Sequence, residues 1–191
     1  MKPLKIYLGD LTYDTIIVST EAFPLNIGYI AAYCKKRFGD SINITLFKYI
    51  KDLEKAIQDY PPDILGLSNY CWNNRVGLEM FRVLSKYNSD ALRVWGGPNF
   101  PLDLPSQEEF LRQYPEVDIY VPVEGETGFS NIVEIALNAK SKEEIRRVVL
   151  SQSIPACITR KHDGRLSYGD YTRIRDLDEI PSPYLMGMMM E

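Results

Sequence analysis

The chain has 191 residues, enough for one domain with a core that needs no disulfide staples. Its 22 Lys and Arg are dispersed among 26 Asp and Glu, for a net charge of −4, so it lacks the basic stripe that a phosphate backbone requires and no nucleic acid is expected as a partner. No apolar run approaches the roughly 20 residues of a membrane span, and the opening MKPLKIYLGDL has no signal-peptide core or cleavage site, so no membrane is expected and the chain reads as cytoplasmic.

Strand and helix signals alternate from the start, which predicts a parallel sheet covered on both faces. The first strand is expected over Leu4 to Leu8, followed by a long polar loop, GDLTYDTIIVSTEAFP. A helix from about Leu25 to Phe38 carries Ile27, Ile30, Ala31 and Cys34 at i, i+3, i+4 and i+7, one buried stripe. Gly39 follows it as an expected cap. A second strand spans Ile42 to Phe47, and a short helix from Ile50 to Tyr60 stops at Pro61-Pro62. The third strand, Ile64 to Leu67, is apolar throughout, as a central parallel strand should be. A helix over Arg75 to Tyr87 turns Val76, Met80, Val83 and Leu84 inward.

The fourth strand, Leu92 to Trp95, closes on Gly96-Gly97-Pro98, and a helix near Ser106 to Tyr114 follows. The fifth strand, Asp118 to Val121, leads into Glu124-Gly125-Glu126-Thr127, where Thr127 is the expected cap of a helix burying Phe129, Ile132, Val133, Ala136 and Leu137. Residues 1–140 thus form the main unit. Residues 141–191 hold a charged helical stretch, KSKEEIRRVV overlapping the boundary, and a hairpin of Ala156 to Thr159 and Leu166 to Tyr168 turning at KHDG. The tail runs through Pro181 and Pro183 into a Met cluster and reads as a linker toward a further domain.

The expected fold class is α/β, a flavodoxin-like (Rossmann-like), doubly wound, five-stranded parallel sheet with a small C-terminal β-hairpin extension. For strand order 2-1-3-4-5, a ligand sits beyond the strand C-termini where the order reverses. The loops facing that crevice begin at Asp10, Ser68, Gly96 and Glu124. The glycines permit close approach to backbone, Ser68 and Asn69 supply small polar groups, and Tyr70 and Trp72 supply aromatic faces. The strand-one loop has no G-x-G-x-x-G, and no G-x-x-x-x-G-K-[ST] occurs anywhere. The single histidine, His162, lies in the hairpin turn, and Cys34, Cys71 and Cys157 are widely spaced, so neither a His-based metal site nor an iron–sulfur motif is expected. These residues present a binding module rather than a catalyst.

Five pieces in order carry a resemblance: PLNIGYIAAYCKKRFG, DILGLSNYCWN, LRVWGGPNF, VDIYVPVEGETGF and LDEIPSPYL. Together they resemble the N-terminal cobalamin-binding domain that precedes the catalytic barrel of many radical SAM enzymes. The resemblance implies cobalamin as the cofactor, with the corrin over the strand C-termini. It implies that Asp10, Leu11 and Thr12 face the ring, that Ser68, Asn69 and Tyr70 line the pocket for the nucleotide tail or ring edge, that Gly96, Gly97 and Pro98 let the tail pass near backbone, and that Glu124, Gly125 and Glu126 border the ring. S-adenosylmethionine and a 4Fe-4S cluster would bind only in the radical SAM domain, the implied partner in the full-length chain. The Asp-x-His-x-x-Gly that ligates cobalt in methionine-synthase-type domains is not matched, because Thr12 stands where the histidine would be. The rival expectation is a cofactor-free scaffold that shapes the substrate entrance of that barrel, in which Tyr70, Trp72 or Phe100 would fill the crevice. A weaker third is another small-ligand domain on the same fold.

Overall fold

A computed structural model describes residues 2–13, 24–171 and 173–188. Most of the loop after the first strand, residues 14–23, and Met189 and Met190 of the terminal cluster lie outside the described residues.

The parallel strands are β1 (Leu4–Thr12), β2 (Ile42–Tyr49), β3 (Ile64–Ser68), β4 (Leu92–Gly96) and β5 (Ile119–Val121). The helices between and after them are α1 (Leu25–Phe38), α2 (Ile50–Asp59), α3 (Asn74–Tyr87), α4 (Leu104–Gln113), α5 (Gly125–Leu137) and α6 (Ile145–Leu150), and β6 (Ile158–Arg160) and β7 (Leu166–Tyr168) form the hairpin. The strand order is β2-β1-β3-β4-β5-β6-β7. The first five strands have the expected parallel order. The hairpin, expected as an extension of a five-stranded sheet, instead continues it: β6 pairs antiparallel with β5 through Ile119–Thr159 and Tyr120–Ile158, giving seven strands. Pairing with β5 buries Ile158 at 1% and Thr159 at 0% exposure, which an isolated hairpin would leave in water.

The helix boundaries follow their chemistry. The first helix runs from Leu25 to Phe38 as its stripe predicts, and Gly39 ends it with φ at +52°. Asp103 caps α4 by accepting the Ser106 N–H at 3.0 Å, which starts that helix two residues before Ser106. Thr127 is no cap, because α5 begins at Gly125 and Glu124 holds the cap position.

All five residues of β3 are buried, and the sheet divides two cores. On one side Ile6, Leu8, Val94 and Val121 pack under α1 and α5. On the other, Leu65, Trp95 and Tyr120 pack under α2, α3 and α4, with Phe81 of α3 against them. Each fully buried Leu, Ile or Phe contributes about 1.5–3 kcal/mol. The N-terminal end of the sheet is closed by charge. Asp118, 1% exposed at its side chain, receives Arg93 and Arg146 at 3.0 and 2.8 Å, joining α6 to β4 and β5. Arg160 on β6 donates to the carbonyls of Leu111, Tyr114 and Val117, closing the C-terminal end of α4.

Candidate functional site

The order of pairing reverses between β1 and β3, and a cleft of about 340 Å³ opens there beyond the strand C-termini, walled by α1 and α5. Its floor is Leu8, Ile27, Gly66, Val94, Val121 and Phe129. Its rim carries Asn26, Ser68, Tyr70, Gly96, Gly97, Pro98, Gly125 and Glu126. Gly66 keeps the floor low, since a Cβ there would stand 2.7 Å from Leu8 Cδ2 and 2.9 Å from Phe129 Cε2. Gly97 makes the rim, with φ at +123° and a notional Cβ only 2.9 Å from the Asn69 carbonyl oxygen.

Of the residues singled out in the sequence, Ser68, Tyr70, Gly96, Gly97, Pro98, Gly125 and Glu126 line the cleft. Asn69 does not. It is fully buried behind the rim, its side-chain amide donating to the Asn99 carbonyl at 2.9 Å and to Tyr120 Oη at 3.1 Å. The Tyr120 hydroxyl in turn donates to the Gly97 carbonyl at 2.8 Å, so the Gly96–Pro98 loop is held from beneath. Glu124 turns away and accepts the Ile174 N–H at 2.9 Å, tying the C-terminal segment to the start of α5.

Asp10, Leu11 and Thr12, expected in a loop, are the last residues of β1. The strand is longer because Leu11, at 2% exposure, fills the second core, and Thr12 pairs with Tyr49 of β2 after a register shift. Leu11 therefore faces away from the cleft. Asp10 stands beside it: the Ser68 hydroxyl donates to its Oδ1 at 2.5 Å, and Asn73 Nδ2 reaches the same oxygen at 3.4 Å. Burial raises the Asp10 carboxyl above its ordinary range, opposed by hydrogen bonds from Ser68 and Asn26. His162 lies in the β6–β7 turn, at the opposite end of the sheet because β6 runs antiparallel to β5.

Sequence reasoning missed Asn26, Asn73 and Tyr120. Asn26 directly precedes the apolar stripe of α1 and donates to the Tyr70 hydroxyl at 3.3 Å, bridging the α1 wall to the β3 loop. Asn73 receives the Tyr70 N–H at 2.8 Å and shapes the turn into α3. An asparagine beside a helix start was the available signal for both. Ile27, Ile30 and Phe129 were legible as core, and the structure gives them a second role as cleft wall.

The crevice is not filled by aromatic rings. Tyr70 stands at the mouth and stacks on Trp72 at 4.5 Å between centroids with 6° between planes, leaving Trp72 58% exposed. Phe100 stacks on Tyr120 at 3.9 Å in the other core. This arrangement disfavours the scaffold reading, which needed those rings in the cleft. No Lys, Arg or His is among the described residues that line it. Among the described residues there is also no group of three or more His, Cys, Asp or Glu placed to hold a metal ion, and no helix long and apolar enough to cross a membrane.

Glu126, in the first turn of α5, has its carboxyl raised above the ordinary glutamate range by burial, with Glu124 adding repulsion. A carboxyl raised in the folded state favours folding below its unfolded pKa and loses that advantage as pH rises through the folded value. Glu126→Gln should therefore stabilise the chain at neutral pH and lose that gain on acidification through the carboxylate range, read as melting temperature against pH. An effect independent of pH would contradict this account.

Residues 15–133 match the family model of the B12 binding domain. The chain is 31% identical over 140 residues to a 2-(S-pantetheinyl)-carbapenam-3-carboxylate methyltransferase of Streptantibioticus cattleyicolor, covering 73% of this chain and 19% of the relative. It is 29% identical over 128 residues to the cobalamin-dependent radical SAM methyltransferase TokK of Streptomyces tokunonensis, covering 67% of this chain and 17% of that protein. Among solved structures, the cobalamin-dependent S-adenosylmethionine radical enzyme OxsB, with aqua-cobalamin and S-adenosylmethionine bound, superposes with a TM-score of 0.68 at 17% identity, over 99% of this chain and 25% of OxsB. At that identity the likeness shows the fold. The chain spans about a fifth of the curated relatives and a quarter of the structural one.

Proposed function

The chain belongs to the B12-binding domain family, and from that premise we propose that it holds cobalamin across the loops after β1, β3, β4 and β5 and presents it to a radical SAM domain elsewhere in the full-length protein. The observation that carries this reading is the open cleft between α1 and α5, whose buried floor is apolar and whose rim is polar. Its volume of about 340 Å³ stands at the lower end of the 300–1,000 Å³ or so typical of ligand pockets. It suits the heterocyclic base of the nucleotide tail and is too small for the macrocycle, which would lie across the loops above. Gly66 and Gly97 fit this use, since a Cβ at either would meet protein atoms within 3 Å and crowd floor or rim.

The residues divide the work by position. Leu8, Val94, Val121 and Phe129 exclude water from the base. Asn26, Tyr70 and Glu126 offer hydrogen bonds at the mouth, where the sugar would emerge. Asn69 and Tyr120 fix the loop that the tail passes. The Tyr70–Trp72 stack offers a flat face beside the opening. Bound cobalamin supplies a cobalt centre able to carry a methyl group. This chain would offer that centre no histidine: Thr12 ends β1 in the ladder with β2, and His162 is at the far end of the sheet. In the whole protein, a methyltransferase or a cyclase, S-adenosylmethionine and its 4Fe-4S cluster would belong to the radical SAM domain.

Titrating the 191-residue chain with hydroxocobalamin should give a saturable change in the visible spectrum. The bound spectrum should lack the signature of a histidine-ligated cobalt. The absence of a saturable change at tens of micromolar protein overturns the reading.

A further inference from the structure

We infer that the cleft selects among corrinoids by their lower base, accepting one with an apolar outer edge and discriminating against one that carries hydrogen-bonding groups there. This rests on the cobalamin reading above and concerns which base the slot takes.

Burial separates the floor from the rim by polarity. Leu8, Ile27, Val94, Val121 and Phe129 are each at most 4% exposed, Gly66 is buried beside them, and none bears a side-chain polar atom. The sheet backbone beneath is already engaged: Leu8 lies between Leu46 and Gly66, Gly66 between Leu8 and Val94, and Val94 between Gly66 and Ile119 in the parallel ladders. Along Leu8, Gly66 and Val94 the floor therefore offers a ligand neither donor nor acceptor, and the side chains of Ile27, Val121 and Phe129 add none. The polar side chains stand at the rim, where the Ser68 hydroxyl donates to Asp10 and the Tyr70 hydroxyl accepts from Asn26.

A heterocyclic base entering edge-first puts its outer edge on that floor. Dimethylbenzimidazole ends in two methyl groups, which gain by leaving water. Adenine ends in an amine and ring nitrogens, which would surrender hydrogen bonds to water and find no replacement. The sugar at the rim is common to both and does not discriminate. Glu126, the one charged side chain on the described lining, stands at the rim with the sugar and not on the floor that the outer edge meets.

The test compares three corrinoids of the same oxidation state on the unmodified chain: hydroxocobalamin, its adenine-based analogue, and cobinamide, which has no base. Binding is followed by corrin absorption and by quenching of tryptophan fluorescence. The adenine analogue should bind at least tenfold more weakly than cobalamin, equivalent to about 1.4 kcal/mol, and so should cobinamide. A smaller difference for the adenine analogue overturns the selectivity. Cobinamide binding as tightly as cobalamin shows that the base does not enter the slot and overturns the inference while leaving corrinoid binding intact. Saturable binding by none of the three defeats the cobalamin reading itself, and this inference with it.

Discussion

Asp118→Asn should destabilise the chain by about 3 kcal/mol or more, a drop in melting temperature of roughly 10 °C at this size. The carboxylate is 1% exposed and receives paired hydrogen bonds from two guanidinium groups. Its Oδ2 also accepts the Arg93 N–H at 3.0 Å. An amide in its place keeps the shape, loses the charge, and turns an NH₂ group toward a cation. Arg93, 14% exposed at its side chain, cannot escape to water, whereas Arg146, at 32%, can in part. The cost arises mainly from leaving the buried cation unpaired rather than from the pair's net contribution. Arg82 provides the contrast. It bonds Glu79 and Glu116 at the surface, and Arg82→Ala should leave the melting temperature nearly unchanged because solvent and entropy offset exposed pairs. Thermal melts of the two variants decide the matter. Equal shifts would remove the claim that this cluster fastens α6 to the sheet.

What the sequence disclosed, and what it hid, divides along the range of the interactions. The first helix was legible because the apolar stripe and Gly39 are local signals, and local chemistry sets its end. The five parallel strands were legible from their apolar runs. The end of β1 was not. Gly9-Asp10 resembles a turn, and only contacts from distant segments, Ser68 to Asp10 and Tyr49 to Thr12, keep the chain extended there. The hairpin turn was plain in KHDG, but its attachment to β5 depends on three-residue strands pairing across nearly forty positions, which leaves no periodic trace. The α5 start was misplaced because Thr127 is a good cap by type, whereas Glu124 takes the cap position and engages Ile174 from the tail.

The cleft shows the same division. Its glycines and Ser68 were visible because loops after parallel strands gather at one face whatever the details. Its floor was not distinguishable from core, since Val94, Val121 and Phe129 have the burial and chemistry of ordinary packing residues. Only the hollow that the first turns of α1 and α5 leave above the sheet sets them apart from the rest of the core. Asn69, counted among the contacts, is instead the anchor beneath them. Asn74, Asn99 and Tyr120 bond to its amide, in a polar network that joins the start of α3, the loop after β4 and β5.

That distinction between floor and core leads to the second large effect. Val94→Phe should abolish cobalamin binding while leaving the fold intact. Val94 sits in β4 at 2% exposure with its side chain at the base of the cleft. A phenyl ring there extends into space that no protein atom occupies, so the overpacking penalty of about 1–3 kcal/mol that a closed core would impose is largely avoided. The same ring occupies the volume that the base requires. An aromatic group of that size buries about 150 Å², which at 25 cal/mol per Å² amounts to about 4 kcal/mol of apolar transfer. Losing most of it lowers affinity at least about 100-fold, or about 2.7 kcal/mol. The measurement is the hydroxocobalamin titration on Val94→Phe beside the parent chain and Arg82→Ala, with circular dichroism to verify folding. Arg82 lies on the α3 surface away from the cleft, so its variant should bind as the parent does. A folded Val94→Phe chain that retains parental affinity would show that the base lies elsewhere, and the α1–α5 cleft would no longer explain what the loops hold.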